Sequence, residues 1–264
     1  MLKQRIITAL LLAPFALLVI LWVPHDVTAA VIALLVIAGA WEWAPFAGFT
    51  SMAARCGYAA LVAALIAILW VLGAQNAQLD VILYVSLAWW LVATIWVALM
   101  PSHMNRAAAM FAGLIVLVPA WLALVRLHDV APELMLFLVL LVVAADVGAY
   151  FAGRAFGTHK LAPRVSPGKT WEGVYGGLAA SAVLASLGVL WFRLSPGPFI
   201  GLCAVVVLAS IVGDLTESLF KRHAGLKDSG GLLPGHGGVL DRVDSITAAA
   251  PVFLVGLERL GLLS

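Results

Sequence analysis

Charge is what this sequence has least of: Asp, Glu, Lys and Arg make up 11% of its 264 residues, against about 25% in soluble globular chains. With 64% hydrophobic residues and a mean hydropathy of +1.10, the chain falls outside the soluble class. Cysteine is almost absent as well. Cys56 and Cys203 show no CxxC spacing, which argues against a disulfide framework or a thiolate metal site and leaves two inert small residues. Internal repeats, heptads, low-complexity tracts and linkers long enough to separate soluble domains are also missing. The expectation is an all-α, polytopic helical bundle forming one membrane domain over residues 1–264.

What is present is apolar sequence in runs near the ~20 residues that cross a hydrocarbon core. Nine candidate spans fall at roughly 6–23, 28–45, 58–74, 79–100, 107–125, 133–152, 173–192, 198–220 and 243–262. Val27-Thr28-Ala29 loosely imitates a signal cleavage site. The apolar core before it is longer than the ~7–15 residues of a signal h-region, so the first run is kept as a span.

Basic residues set the orientation. With the N-terminus cytoplasmic, Lys3, Arg5, Arg55, Arg106, Arg154, Lys160, Arg164, Lys169, Lys221, Arg222, Lys227 and Arg242 face inside, and only Arg126, Arg193 and Arg259 face out. Removing one middle span would reverse that bias for half of them. The inside loops are locally basic, which suits anionic headgroups or nucleotide phosphates.

Residues 1–126 read as a helical scaffold, with Trp22, Trp41, Trp43 and Trp70 near span ends as an interfacial aromatic belt. Glu42, between two of these, is expected to be an interfacial carboxylate solvated by headgroups. His25, His103 and His128 fall in short loops without partners at ligand spacing and are expected to be solvated.

Residues 133–264 carry the polar chemistry. Asp146 lies in the sixth span, where a charged residue at mid-bilayer costs ~2.5–3.5 kcal/mol on insertion scales, so it needs a partner or a role. Arg154 and Lys169 are its candidate partners. The loop that follows alternates glycine, serine and cations, including Arg154, Ser166 and Lys169, a pattern suited to a phosphate. Ser166-Pro-Gly-Lys-Thr170 imitates a P-loop ending but lies between two membrane helices, so it fails that test.

Five of the 13 acids gather in Gly213 to Ser245. On a helix, Asp214, Glu217, Ser218 and Lys221 share one face. A glycine-rich loop with Lys227, Asp228 and His236 follows, and Asp241 and Asp244 then stand at i, i+3. Asp214, Glu217, Asp241 and Asp244 are hard oxygen donors without thiolate or clustered imidazole nearby. Magnesium is therefore the expected metal, held by carboxylates, substrate phosphates and water, with a second cation allowed. Lys221, Arg222, Lys227 and Arg242 would hold phosphate charge, while Gly237, Gly238 and their neighbours let backbone approach a ligand. His236 reads equally as a base, a phosphate donor or a turn former. Together these are the means of phosphoryl or nucleotidyl transfer.

Ser218-x-Phe220-Lys221-Arg222-x4-Lys227-Asp228-x-Gly230-x2-Leu233-Pro234-x-His236-Gly237-Gly238-Val239-x-Asp241-Arg242-Val243-Asp244 resembles the signature of the phosphatidate cytidylyltransferases. Asp146, Tyr150, Gly153-Arg154, Gly157, Ser166-Pro167-x-Lys169-Thr170 and Glu172-Gly173 are similar to that family too. The first 125 or so residues resemble it only in hydropathy.

The resemblance implies CTP and phosphatidate as substrates, CDP-diacylglycerol and pyrophosphate as products, magnesium dependence, a homodimer and a bacterial inner membrane. It implies no nucleic-acid partner. Asp214 and Asp241 are expected as principal metal ligands, with Glu217 and Asp146 beside them. Asp228, Asp244 and Glu217 are expected to ligate or orient cations. The competing readings are a CDP-alcohol phosphotransferase, whose DxxDGxxAR-type spacing is missing, a proton- or cation-coupled transporter, and a non-catalytic relative.

Overall fold

A computed structural model of the chain describes residues 13–99, 105–232 and 237–262. Within them run α1 (Ala13–Trp22), α2 (His25–Trp43), α3 (Met52–Val71), α4 (Asp80–Leu99), α5 (Arg106–Val130), α6 (Pro132–Phe156), α7 (Trp171–Phe192), α8 (Pro196–His223) and α9 (Leu240–Arg259). The protein is all-α but for one small hairpin. Seven helical segments, from α2 to α8, are long and apolar enough to span a membrane, making this an integral membrane protein. Residues 6–12 of the first expected span lie outside the described residues.

The helix starts follow local chemistry. The Ser51 hydroxyl accepts from Ala54 N–H (3.2 Å), the Asn105 carbonyl oxygen from Ala107 N–H (2.9 Å) and the Thr170 hydroxyl from Gly173 N–H (3.1 Å). Pro132 and Pro196 open α6 and α8, where a missing N–H costs nothing. Helix α3 begins six residues earlier than the expected 58. Arg55 lies over the Trp41 ring at 4.2 Å and donates to Trp41 O, so its charge stays anchored while the helix continues past it.

Helix α9 is not among the seven apolar segments, since Asp241, Arg242, Asp244, Glu258 and Arg259 all lie on it. It packs instead in the middle of the bundle, against α5, α6 and α8, and Ala248, Ala249, Ala250, Phe253, Leu254 and Leu257 are fully buried. Helices α3 and α4 show the opposite pattern. Leu61, Ile68, Leu91 and Ile95 point outward, as lipid-facing residues should.

Two helix pairs carry the most extensive packing, α6 with α7 and α8 with α9. At the first, a Cβ on Gly148 would lie 2.5 Å from Gly176 O, and one on Gly176 would lie 2.2 Å from the Ala152 Cβ. Small residues therefore set that close approach, as is usual where helices meet in lipid. At the second, a Cβ on Gly213 would come 2.6 Å from Asp244 O, so the backbones touch where both helices carry acids.

The segment expected to be a loop between α6 and α7 is partly regular. Helix α6 continues to Phe156, and β1 (Lys160–Ala162) pairs antiparallel with β2 (Ser166–Thr170). The Ser166–Thr170 motif thus runs as a strand straight into α7, without the glycine-rich loop that a P-loop needs.

Candidate active site

Two charged clusters lie along one face of α8, and the chain brings them together from four helices and the hairpin. The end of α8 is wedged first. Phe220 is fully buried, its ring 4.8 Å from that of Trp43 and 6.0 Å from that of Trp96, while the Trp43 indole N–H donates to Ala109 O (2.8 Å). That packing fixes the rotation of α8 and the direction of Asp214, Glu217 and Lys221.

The outer cluster lines an open cavity of about 370 Å³ between α6, α7, α8 and the hairpin. Asp146, Arg154, Lys169 and Asp214 contribute its charge, while Ala145, Val174 and Ile211 contribute apolar wall. Lys169 Nζ stands 2.6 Å from Asp214 Oδ2, and Ser218 donates to Asp214 Oδ1 (3.3 Å). Asp146 interacts with both Lys169 and Asp214 through space. Arg154 is not its partner, since that guanidinium donates to the Tyr150 hydroxyl (2.9 Å).

The inner cluster is closed. Lys221 Nζ bridges Glu217 Oε2 (2.9 Å) and Asp241 Oδ1 (2.7 Å), with side-chain exposures of only 12%, 2% and 12% respectively. The Asp241 carboxylate also accepts from Ser229 N–H (3.1 Å) and Gly238 N–H (2.9 Å), so its oxygens are engaged by the loop and by Lys221. Asp244 lies against Glu217 and interacts with Asp214 through space. Glu217 Oε1 is buried with no donor among the described residues.

The remaining expected residues are spread around this core. Arg222 donates to Val165 O (3.5 Å), tying α8 to the hairpin, and Ser166 begins β2. Lys227, Asp228 and Arg242 are exposed. Gly237 takes a positive φ of 80° beside Asp241. His236 lies outside the described residues, as does His103.

Three expectations for the scaffold are corrected. Glu42 is not solvated by headgroups. It is fully buried, and its Oε2 accepts from Leu240 N–H (2.8 Å) and the Ser229 hydroxyl (3.3 Å). His128 is not solvated either, at 5% exposure: its Nε2 lies 3.0 Å from Ile20 O, and its ring stacks on that of His25. His25 in turn lies between His128 and Trp70. All three corrections have one cause: each side chain meets partners brought by remote segments, which a local reading of span ends does not see. Glu172 and Thr170 belong with the site residues too. Thr170 caps α7 in the cavity wall, and Glu172 accepts from Thr158 (2.8 Å) and lies 2.6 Å from His159 Nδ1, closing the base of the hairpin.

Among the described residues no three His, Cys, Asp or Glu side chains already converge on one point. The donor set still suits a hard cation. Asp214, Glu217 and Asp244 are oxygen donors, Asp244 interacts with both of the others, and one buried Glu217 oxygen has no donor among the described residues.

The chain is 49% identical to the phosphatidate cytidylyltransferase of Pseudomonas aeruginosa, over 99% of this chain and 98% of that one. It is 37% identical to that of Haemophilus influenzae over 96% and 97%. A shorter stretch of 119 residues is 55% identical to the enzyme of the same name from Brucella suis, covering 44% and 43%. The model of the "Cytidylyltransferase family" matches residues 3–259, scaffold and site alike, and the chain belongs to that family.

Proposed function

We propose that this protein is a phosphatidate cytidylyltransferase, transferring CMP from CTP to phosphatidate to give CDP-diacylglycerol and pyrophosphate. The observation that carries the reading is the outer cavity. It sets a cation–carboxylate pair, Lys169 and Asp214, at the end of a part-apolar groove between membrane helices, where a lipid phosphate can enter with its chains left in the bilayer. Family membership and the two near-full-length relatives point to the same reaction. They leave the transporter reading with no observation in its favour.

The lipid phosphate is already an anionic nucleophile and needs no strong base. One of its oxygens bonds to the α-phosphorus of CTP as the α–β bridging bond breaks, and pyrophosphate carries the electron pair away. Lys169 and Arg154 would receive the lipid phosphate from the groove side, and Arg222 and Lys227 the triphosphate. Asp146 would hold Lys169 in place against Asp214. Magnesium, when bound, would neutralise phosphate charge, and Asp214 with Glu217 and Asp244 are the residues that would hold it. We assign Asp241 to a different task from the metal ligation expected of it: its oxygens hold Lys221 and the loop N–H groups.

In this reading the site faces the cytoplasm of a bacterial inner membrane, where CTP is available, and the protein works as a homodimer. The test is CTP-dependent formation of CDP-diacylglycerol by purified protein in detergent, with and without magnesium. Magnesium-dependent product is expected. Absence of product from folded protein across several lipid and detergent conditions would overturn the assignment.

A further inference from the structure

The functional signature leaves Glu42 unexplained. It lies on α2, almost 200 residues from the loop that it touches, and it is fully buried. A buried carboxylate is costly unless its oxygens are bonded. Here the bonds go to two backbone-defining points of the glycine-rich loop. The Ser229 hydroxyl and Leu240 N–H both donate to Glu42 Oε2, while Ser229 N–H and Gly238 N–H both donate to Asp241. The two ends of the loop are thus each gripped by two carboxylates, one from the scaffold and one from the charged cluster. Space agrees with this. A Cβ on Gly230 would fall 2.3 Å from Glu42 Oε1, and one on Gly238 would fall 2.5 Å from Oε2, so glycine at both positions lets the loop close onto Glu42.

We infer that Glu42 is a positioning residue for the nucleotide-handling loop. It fixes Ser229 and the start of α9 to the scaffold, and through them the Asp241–Lys221 pair. The inference rests on the cytidylyltransferase reading above for its kinetic consequences, though not for its structural ones. Glu42 touches no reacting atom. In a glutamine, the carbonyl in place of Oε2 keeps both of that oxygen's hydrogen bonds, and only the weaker approach of the Leu232 N–H to the carboxylate is lost.

The test compares purified full-length wild type, Glu42→Gln, Glu42→Ala and Gly230→Ala in detergent, by steady-state kinetics and by hydrogen–deuterium exchange. Glu42→Ala should raise KM for CTP about tenfold, as expected for losing a hydrogen bond to a charged group, with KM for phosphatidate within twofold. Glu42→Gln should restore CTP KM to within threefold of wild type. Gly230→Ala keeps the carboxylate but intrudes on it, and should reproduce the Glu42→Ala pattern even if that variant folds poorly. Exchange should accelerate in the 226–241 segment of both impaired variants and stay unchanged in α2 and the later turns of α9.

Unchanged CTP KM in Gly230→Ala, or an even loss of protection across α2, α5 and α9 in Glu42→Ala, would overturn the inference. Failure of the wild type to use CTP and phosphatidate would instead overturn the function proposed above. The exchange measurement would still decide whether Glu42 holds the loop.

Discussion

The two clusters along α8 use the same kinds of residue to opposite ends. The inner one is nearly closed: Lys221 lies between Glu217 and Asp241, nearly dry, Asp241 is further engaged by two N–H groups, and Glu217 Oε1 alone is left without a donor among the described residues. The outer one is left incomplete. Asp214 and Lys169 are 30% and 26% exposed, and they border a cavity able to take a ligand. A buried ion pair is poor as a source of stability but strongly resists losing one partner. An open pair has spare coordination for a substrate. The difference suggests a division of labour, with a rigid charged post inside and a reactive edge outside, both mounted on one helix.

The comparison breaks most decisively at Lys221. Lys221→Met removes the one ammonium between two carboxylates, leaving Glu217 buried and unpaired and Asp241 held only by loop N–H groups, which costs about 3–5 kcal/mol. The expected outcome is a marked fall in the thermal unfolding midpoint in detergent together with loss of turnover. A variant that is inactive at an unchanged midpoint would mean that the inner cluster is not the structural post described here.

Asp214→Asn sharpens the contrast from the other side. Its carboxylate faces the cavity and is partly wet, so folding should change little. Turnover should drop about 100- to 1,000-fold, the scale for removing a group that stabilises charge in a transition state. Midpoint and turnover, measured on the same preparation, check both halves of the expectation. A large fall in midpoint with modest loss of turnover would erase the distinction between the clusters.

The residues that sequence could read and those it could not divide along the same physical line. The i, i+3, i+4, i+7 face of α8 was legible, because helical spacing is local. The pairing of Lys221 with Glu217 at i, i+4 went unread, because Lys221 was expected to hold phosphate charge. Most helices were legible as apolar runs, and α9 was found despite its charges. What sequence could not supply was separation in space. The split into two clusters depends on how Gly213 lets α9 approach α8, and on the aromatic wedge around Phe220. Glu42 was misread for a related reason: it does sit at a helix end, but the partners that bury it lie at Ser229 and Leu240. The hairpin escaped as well, since Lys160–Ala162 and Ser166–Thr170 are too short for a period-2 pattern to register.

The smallest expected effect lies at the hairpin, which forms part of the outer cavity wall. Glu172 accepts from Thr158 and His159 N–H and meets the His159 ring, joining the start of the hairpin to the first turn of α7. These contacts are at the surface, where water competes for each partner and ion pairs contribute little. Glu172→Gln keeps an acceptor for Thr158 and weakens only the charged component. Turnover and both KM values should therefore stay within about threefold of wild type. A larger rise confined to the phosphatidate KM would show that the hairpin base holds Lys169 in register for the lipid phosphate, and the reactive edge would then extend from α8 across the whole hairpin.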